Sequence, residues 1–218
     1  MVEEIARKVY FSRLRKLNGQ FREKLLELRD RKGYHLAKDA LRFSRTEEAF
    51  HVFHDAFQRV LDEINRYPGR RVVIAPVPHG GEFVGTLFHE ALQALRERGL
   101  VDKDVEFLRI EKLPGREFRY TPPEGEHLFI LVDDAYGSGN TARKVLSRHP
   151  RPQDAKVVAL SAPERSDRYM YAKMLAVLSY LDRALRGEPE LLDELVEKKK
   201  NKGAYVSTHR DAWRVDDF

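Results

Sequence analysis

Residues 128–141 read LFILVDDAYGSGNT, and they hold the densest run of chemistry-bearing residues in the chain. Five apolar residues lead into two adjacent carboxylates, Asp133 and Asp134. After Ala135 and Tyr136 come Gly137, Ser138, Gly139, Asn140 and Thr141. Paired carboxylates suit ribose hydroxyls or a hard divalent cation such as Mg²⁺. The two glycines let backbone amides approach an anion closely. A loop that opens a helix adds the helix dipole and unpaired N–H groups, both favourable to phosphate. Ser138 and Thr141 contribute hydroxyl donors. Carboxylates beside a phosphate cradle repel an anion unless they hold sugar hydroxyls or a bridging metal. One ligand carries all the matching parts: a ribose with a 5-phosphate and, on C1, a metal-bound diphosphate.

Strands alternating with helices must position these groups. VVIAPV (72–77), VEFLRI (105–110), LFILV (128–132) and VVALSA (157–162) are short runs rich in β-branched residues. Apart from Glu106 and Arg109 in the second, they run mainly apolar rather than alternating, as expected of parallel strands buried on both faces. Val84, Leu87, Phe88, Ala91, Leu92 and Leu95 trace a helix after the first strand, and a short helix is expected from Thr141 to about Arg148. The predicted fold is α/β, a mainly parallel sheet of four or five strands with helices on both faces. In such sheets ligands bind beyond the carboxyl ends of the strands, where Asp133 and Asp134 fall. Pro78-His79-Gly80-Gly81 follows the first strand at the same end.

Helical segments flank this core. Residues 1–69 read as helices, with Ser44 and Glu47 as a capping box and Phe50, Phe53, Phe57, Val60, Leu61 and Ile64 on one face. The α/β core takes residues 70–163. Residues 164–218 form a helical hood in which Met170, Met174, Val177, Leu178, Leu181 and Leu185 share a face. Residues 111–127, EKLPGREFRYTPPEGEH, hold three prolines, two glycines and seven charged residues, and read as a long mobile loop or lid. His51, His54 and Asp55 lie on one helix, but interleaved with phenylalanines they read as the edge of a packed face. Lys198, Lys199 and Lys200 read as a solvated run.

Composition narrows the function classes. The 218 residues are 42% apolar, enough for a globular core. No stretch reaches the roughly 20 apolar residues of a membrane helix, and the charged start MVEEIARKVYF is unlike a secretion signal. With no cysteine, disulfides, zinc-thiolate sites and thiol nucleophiles are excluded, and a cytoplasmic location is expected. The net charge of +5 is interspersed and suits a small polyanion better than nucleic acid. A charged fraction of 34%, with few Asn and Gln, points to a heat-adapted source.

The run Val132-Asp133-Asp134-Ala135-Tyr136-Gly137-Ser138-Gly139-Asn140-Thr141 resembles the signature of the type I phosphoribosyltransferases: an apolar strand, two acidic residues, variable positions, then Thr/Ser-Gly-x-Thr. APVPHGG is similar to that family's diphosphate-binding loop, and residues 111–127 stand where the family has a closing loop. The resemblance covers roughly residues 70–162. It implies transfer of a 5-phosphoribosyl group from phosphoribosyl diphosphate to a nitrogenous base, with Mg²⁺. Asp133 and Asp134 would bind the ribose hydroxyls and the metal. Residues 137–141 would cradle the 5-phosphate, with Ala135 and Tyr136 beside them. His79, Gly80 and Gly81 would meet the diphosphate through backbone amides, and Lys112 or Arg116 would neutralise it. The family's transition state resembles an oxocarbenium ion, so positive charge at the leaving diphosphate is the main catalytic device. Expected partners are phosphoribosyl diphosphate and a small base, not a membrane or nucleic acid; homodimers are common in the family. Two departures stand out. Gly137 replaces the acidic residue of members that act on 6-oxopurines, which disfavours those bases. His79 stands where many relatives have a basic residue. That favours a second reading: a regulator that binds phosphoribosyl diphosphate or a nucleotide without turnover to control RNA, DNA or protein.

Overall fold

The computed structural model describes residues 1–135, 140–161 and 166–201, with the backbone alone for Arg116, Ala135, Ser166, Asp167 and residues 198–201. Four helices come first: α1 (Val2–Glu23), α2 (Leu25–Leu28), α3 (Tyr34–Phe43) and α4 (Glu47–Arg66). Then follow β1 (Arg71–Pro76), α5 (Glu82–Glu97), β2 (Asp104–Phe107), β3 (Glu111–Leu113), β4 (Glu117–Arg119), β5 (Leu128–Ala135), α6 (Asn140–Leu146), β6 (Ala155–Ser161), α7 (Ser166–Leu185) and α8 (Leu191–Asn201). Among the described residues, no helix is long and apolar enough to cross a membrane.

Strands β2, β1, β5 and β6 form one four-stranded sheet in that order, parallel throughout. Ile74 pairs with Ile130, and Val132 with Val158. Strand alternation sends Val72, Ile74, Leu128, Ile130 and Val132 to one face, and Val73, Ala75, Phe129 and Leu131 to the other. The first face carries a thick helical layer containing residues from α1 to α5, α7 and α8. Helix α7 lies within it, packed against α3, α4, α5 and α8 as well as the sheet. Phe53 and Phe57 of α4 meet Phe88 of α5 at ring-centroid distances of 5.4 and 5.7 Å. Each such buried ring contributes roughly 1.5–3 kcal/mol of burial.

The second face is thinner. It is covered by α6 and by an antiparallel hairpin, β3–β4, rather than by a full helical layer. The hairpin lies inside 111–127, where the sequence suggested only a loop. Gly115 takes the tip with φ of +76°, a left-handed conformation open to glycine at no steric cost. Phe118 turns inward onto Val73, Ala75 and Phe129. The Tyr120 hydroxyl donates to the Val145 carbonyl at 2.9 Å. The far end is held by two buried histidines. The Arg151 N–H donates to His149 Nδ1 at 3.1 Å. That leaves the His149 Nε2–H for His127 Nε2 at 3.1 Å, and the His127 Nδ1–H for the Gly125 carbonyl at 2.9 Å.

Two further expectations are corrected. The cap of α4 is Thr46, whose hydroxyl accepts the Ala49 N–H at 3.3 Å; Ser44 instead ends α3, its backbone carbonyl taken by the Tyr10 hydroxyl at 2.7 Å. Strand β2 stops at Phe107, not residue 110, while β5 runs three residues past Val132 because β6 pairs with it as far as Ala135 opposite Ser161.

Candidate functional site

The topology explains where a site can form. From β1 the chain crosses by α5 to β2 on one side, and from β5 by α6 to β6 on the other. Both crossovers keep the right-handed sense only if their helices lie on opposite faces of the sheet, and they do. The order therefore reverses between β1 and β5, leaving a crevice beyond their carboxyl ends. Asp133 and Asp134 stand on β5 at that crevice, and the turn 77–81 leaves β1 beside them.

That turn is tightly tied to β5. The Val77 N–H donates to the Val132 carbonyl at 2.8 Å, and the Gly81 N–H to the Val77 carbonyl at 2.9 Å. The Gly81 amide is thus used inside the turn. The need for glycine at 81 is packing: a Cβ there would run into the Val132 carbonyl, with the carbonyl carbon at 2.8 Å and the Val77 nitrogen at 3.1 Å. Gly80 is needed for another reason. A Cβ on it would meet Asp133 Oδ1 at 2.8 Å and Asp134 Oδ1 at 2.9 Å. The backbone of the β1 turn therefore lies directly over both carboxylates. His79 precedes it with φ of +66°, a left-handed conformation that L side chains rarely adopt.

The two aspartates differ sharply. They belong to the strand rather than to an exposed loop, and Asp134 is only 8% exposed. Lys173 of α7 forms an ion pair with Asp134. Asp133 Oδ1 accepts the Asp134 N–H at 2.8 Å. Burial first, and then the neighbouring Asp134 charge, push the Asp133 carboxyl well above its ordinary range, while Lys173 offsets only part of this. For Lys173 burial opposes the charge, but Asp134 outweighs it and holds the ammonium above its usual value. Two carboxylates and one ammonium leave the cluster short of positive charge.

Helix α7 supplies a further set of groups. The His79 ring packs against Tyr180 at a centroid distance of 5.3 Å, and the Arg183 guanidinium lies 3.3 Å from its Nδ1. Arg183 also pairs with Glu188. Ser179 Oγ accepts the Phe83 N–H at 2.9 Å, satisfying an amide at the start of α5 that no cap residue of its own reaches. Lys173, Tyr180 and Arg183 were absent from the sequence reading, which followed only the apolar positions of this helix. Their spacing of seven and three places them along one side of it, so a polar stripe was the available signal.

The other expected site residues are placed as follows. Asn140 and Thr141 open α6, and Asn140 Oδ1 accepts from Arg143 at 3.0 Å. Tyr136, Gly137, Ser138 and Gly139, the centre of the expected phosphate cradle, lie outside the described residues, as does the side chain of Ala135. Lys112 is exposed on β3, opposite Phe118; of Arg116 the structure describes the backbone at the hairpin tip. His54 and Asp55 are accounted for on the surface of α4, His54 with Gln58 at 3.1 Å and Asp55 with Arg168 at 2.5 Å.

The donor set fits Mg²⁺ in one specific sense. Among the described residues no group of three or more His, Asp or Glu side chains could hold a metal ion by itself. Two adjacent carboxylates remain, and Mg²⁺ is commonly held by one or two carboxylates together with waters and the phosphates of a substrate. Comparison with protein-family models, with curated proteins and with solved structures finds no match to this chain.

Proposed function

We propose that the chain binds phosphoribosyl diphosphate with Mg²⁺ and transfers its 5-phosphoribosyl group to a nitrogenous base, releasing diphosphate, with 6-oxopurines disfavoured. It is read as a member of the type I phosphoribosyltransferases. The observation that carries this reading is the meeting of Gly80 with Asp133 and Asp134 at the reversal of strand order. Glycine at 80 leaves room for the β1 turn to lie close over both carboxylates, which supports reading that turn as the one that binds diphosphate, beside the groups that would hold ribose and metal. Asp133 and Asp134 would hold Mg²⁺, which would supply positive charge against the charge that grows on the leaving diphosphate.

The chain's own residues take the other roles. Asp133 and Asp134 orient the ribose through its hydroxyls. Lys173 holds the Asp134 carboxylate in place through their ion pair. Asn140 and Thr141 present the first turn of α6 to the 5-phosphate. Arg183 bears on the rival reading of a binding protein without turnover, which rests on His79 replacing a basic residue. The guanidinium 3.3 Å from the imidazole supplies the positive charge that the turn itself lacks, and this favours the enzyme.

The test is to incubate the chain with labelled phosphoribosyl diphosphate, Mg²⁺ and a panel of free bases, and to look for labelled nucleotide. Nucleotide formed from any base supports the enzyme. Tight binding with no diphosphate release across the panel would turn the reading to the regulator, and no binding would end both.

A further inference from the structure

A separate cavity of about 370 Å³ opens between α1, α5, α7 and the carboxyl ends of β1 and β2. Neither Asp133 nor Asp134 lines it. It holds four arginines, and three of them have carboxylate partners. Arg13 pairs with Glu90 at 2.9 Å and with Asp182 at 3.4 Å. Arg186 pairs with Asp182, and Arg183 with Glu188. The fourth, Arg109, is exposed and makes no hydrogen bond or ion pair among the described residues.

An opposite deficiency lies across the cavity. Oε2 of Glu82 is buried and accepts no hydrogen bond. The nearest guanidinium nitrogen, on Arg183, is 4.0 Å away, too far for one. The Glu82 side chain as a whole is 22% exposed and lines the cavity, so its carboxylate offers a ligand N–H an acceptor that is short of donors. The mostly polar lining also includes an apolar, partly aromatic patch. Phe107, a large apolar side chain that is 38% exposed, lies edge-on to His89 at 5.6 Å, with Ile110 and Pro76 alongside. Burial holds the His89 imidazole below its usual pKa, so this ring adds no positive charge near neutral pH.

We infer that this cavity is a binding site for a small ring compound carrying both an anionic group, taken by Arg109, and an N–H donor, taken by Glu82. The volume admits one ring system with its substituents. The inference does not rest on the proposed transferase activity. It would hold equally for a regulator, and its test contains no phosphoribosyl diphosphate.

Three probes separate the two recognition elements: 3-aminobenzoate has both groups, benzoate the anion alone and aniline the donor alone. Each is titrated into the isotope-labelled chain while the backbone amides of Phe107, Ile110 and Ser179 are followed by NMR. Saturable shifts are expected for 3-aminobenzoate, with binding about tenfold weaker for either partial probe, the weight of one charge-assisted hydrogen bond. Arg109→Gln should lower 3-aminobenzoate to the level of aniline. Glu82→Met should remove the preference for the amino group; should that variant not fold, Arg109→Gln decides alone, because residue 109 is exposed and supports no packing. The inference is overturned by an absence of saturable shifts at these amides, by equal affinities for the three probes, or by Arg109→Gln binding 3-aminobenzoate as the natural chain does.

Discussion

Replacing Asp133 with asparagine should make the free protein more stable, although the residue stands at the centre of the candidate site. The folded carboxyl is raised by burial and by the Asp134 charge, and the one nearby ammonium is already paired with Asp134. In the unfolded chain the group ionises near its ordinary value of 3.8. As pH rises above that value the unfolded state gives up its proton and the folded state resists. The unfolded state then binds fewer protons, so stability falls with pH, by about 1.4 kcal/mol for each pH unit over which the two differ. Two such units, from about pH 4 to pH 6, give roughly 3 kcal/mol. Asparagine cannot ionise, has nearly the same shape and retains the oxygen that accepts the Asp134 N–H at 2.8 Å. Asp133→Asn should therefore match the natural protein near pH 3.5 and exceed it by about 2–3 kcal/mol near pH 6–7, or roughly 5–10 °C in Tm for a chain of this size. Thermal and urea unfolding of both proteins across this range checks it, because titrations common to both cancel in the difference. The neighbouring change should have the opposite sign. Asp134→Asn strands Lys173 without its partner and should cost about 2–3 kcal/mol. An Asp133→Asn protein that is less stable, or a difference that does not vary with pH, would refute the reasoning.

Other expectations follow from the same contacts. Gly81→Ala drives a Cβ against the Val132 carbonyl and should destabilise by about 3 kcal/mol or more, whereas Gly80→Ala meets only rotatable carboxylate oxygens and should cost about 1 kcal/mol while weakening phosphoribosyl diphosphate binding by calorimetry. Ser179→Ala leaves the buried Phe83 N–H without its acceptor and should cost about 1–3 kcal/mol in urea unfolding. Phe118→Ala removes the apolar anchor of the hairpin, with an expected loss of about 3–4 kcal/mol and faster protease cleavage within residues 114–126. The buried His149 is held below the usual histidine pKa by desolvation, so the unfolded chain takes up a proton first as pH falls below 6.5; the stability contributed by the neutral His149 ring should be lost in that direction, and His149→Phe should flatten that limb of the pH profile.

The parts of this molecule that were legible in the sequence are those written in local pattern. Four short, mainly apolar runs became the four parallel strands, and the carboxylates and the glycine turn fell at the same sheet end because strand and turn signals are set by neighbouring residues. The hairpin was missed because its one buried contact, Phe118, is an isolated aromatic in a polar stretch, and no period shows in strands of three residues. The extension of β5 through Asp133 and Asp134 was missed for a related reason. Two adjacent acidic residues read as the end of a strand, yet pairing with β6 carries the ladder past them, since backbone groups pair whatever the side chains are. That single difference changes the chemistry. On an exposed loop the pair would be solvated and cheap to ionise; inside the strand one carboxylate needs Lys173 and the other remains starved of positive charge.

The contribution of α7 could not be read locally at all. Lys173, Tyr180 and Arg183 reach the site from positions 39 to 104 residues away from their partners Asp134 and His79, and nothing nearby in the chain marks them. Their placement is a consequence of tertiary packing: α7 is embedded among α3, α4, α5 and α8, so few of its side chains reach open space. A helix buried on most sides exposes polar side chains only where a cavity receives them. Both receiving places in this fold, the carboxylate crevice and the arginine-lined cavity, adjoin α7, and Arg183 faces both. Its guanidinium meets His79 at 3.3 Å on one side and approaches Glu82 at 4.0 Å on the other. A ligand N–H that satisfies Glu82 would weaken the pull of that carboxylate on Arg183 and leave the guanidinium more available to the turn over Asp133 and Asp134. The two places are therefore joined by a shared charge rather than by a moving segment. Since any such coupling acts equally in both directions, 3-aminobenzoate in the cavity should tighten phosphoribosyl diphosphate binding, and by the same factor phosphoribosyl diphosphate should tighten 3-aminobenzoate. In Arg183→Leu the two titrations should become independent; coupling that survives in that variant would show that Arg183 is not the link.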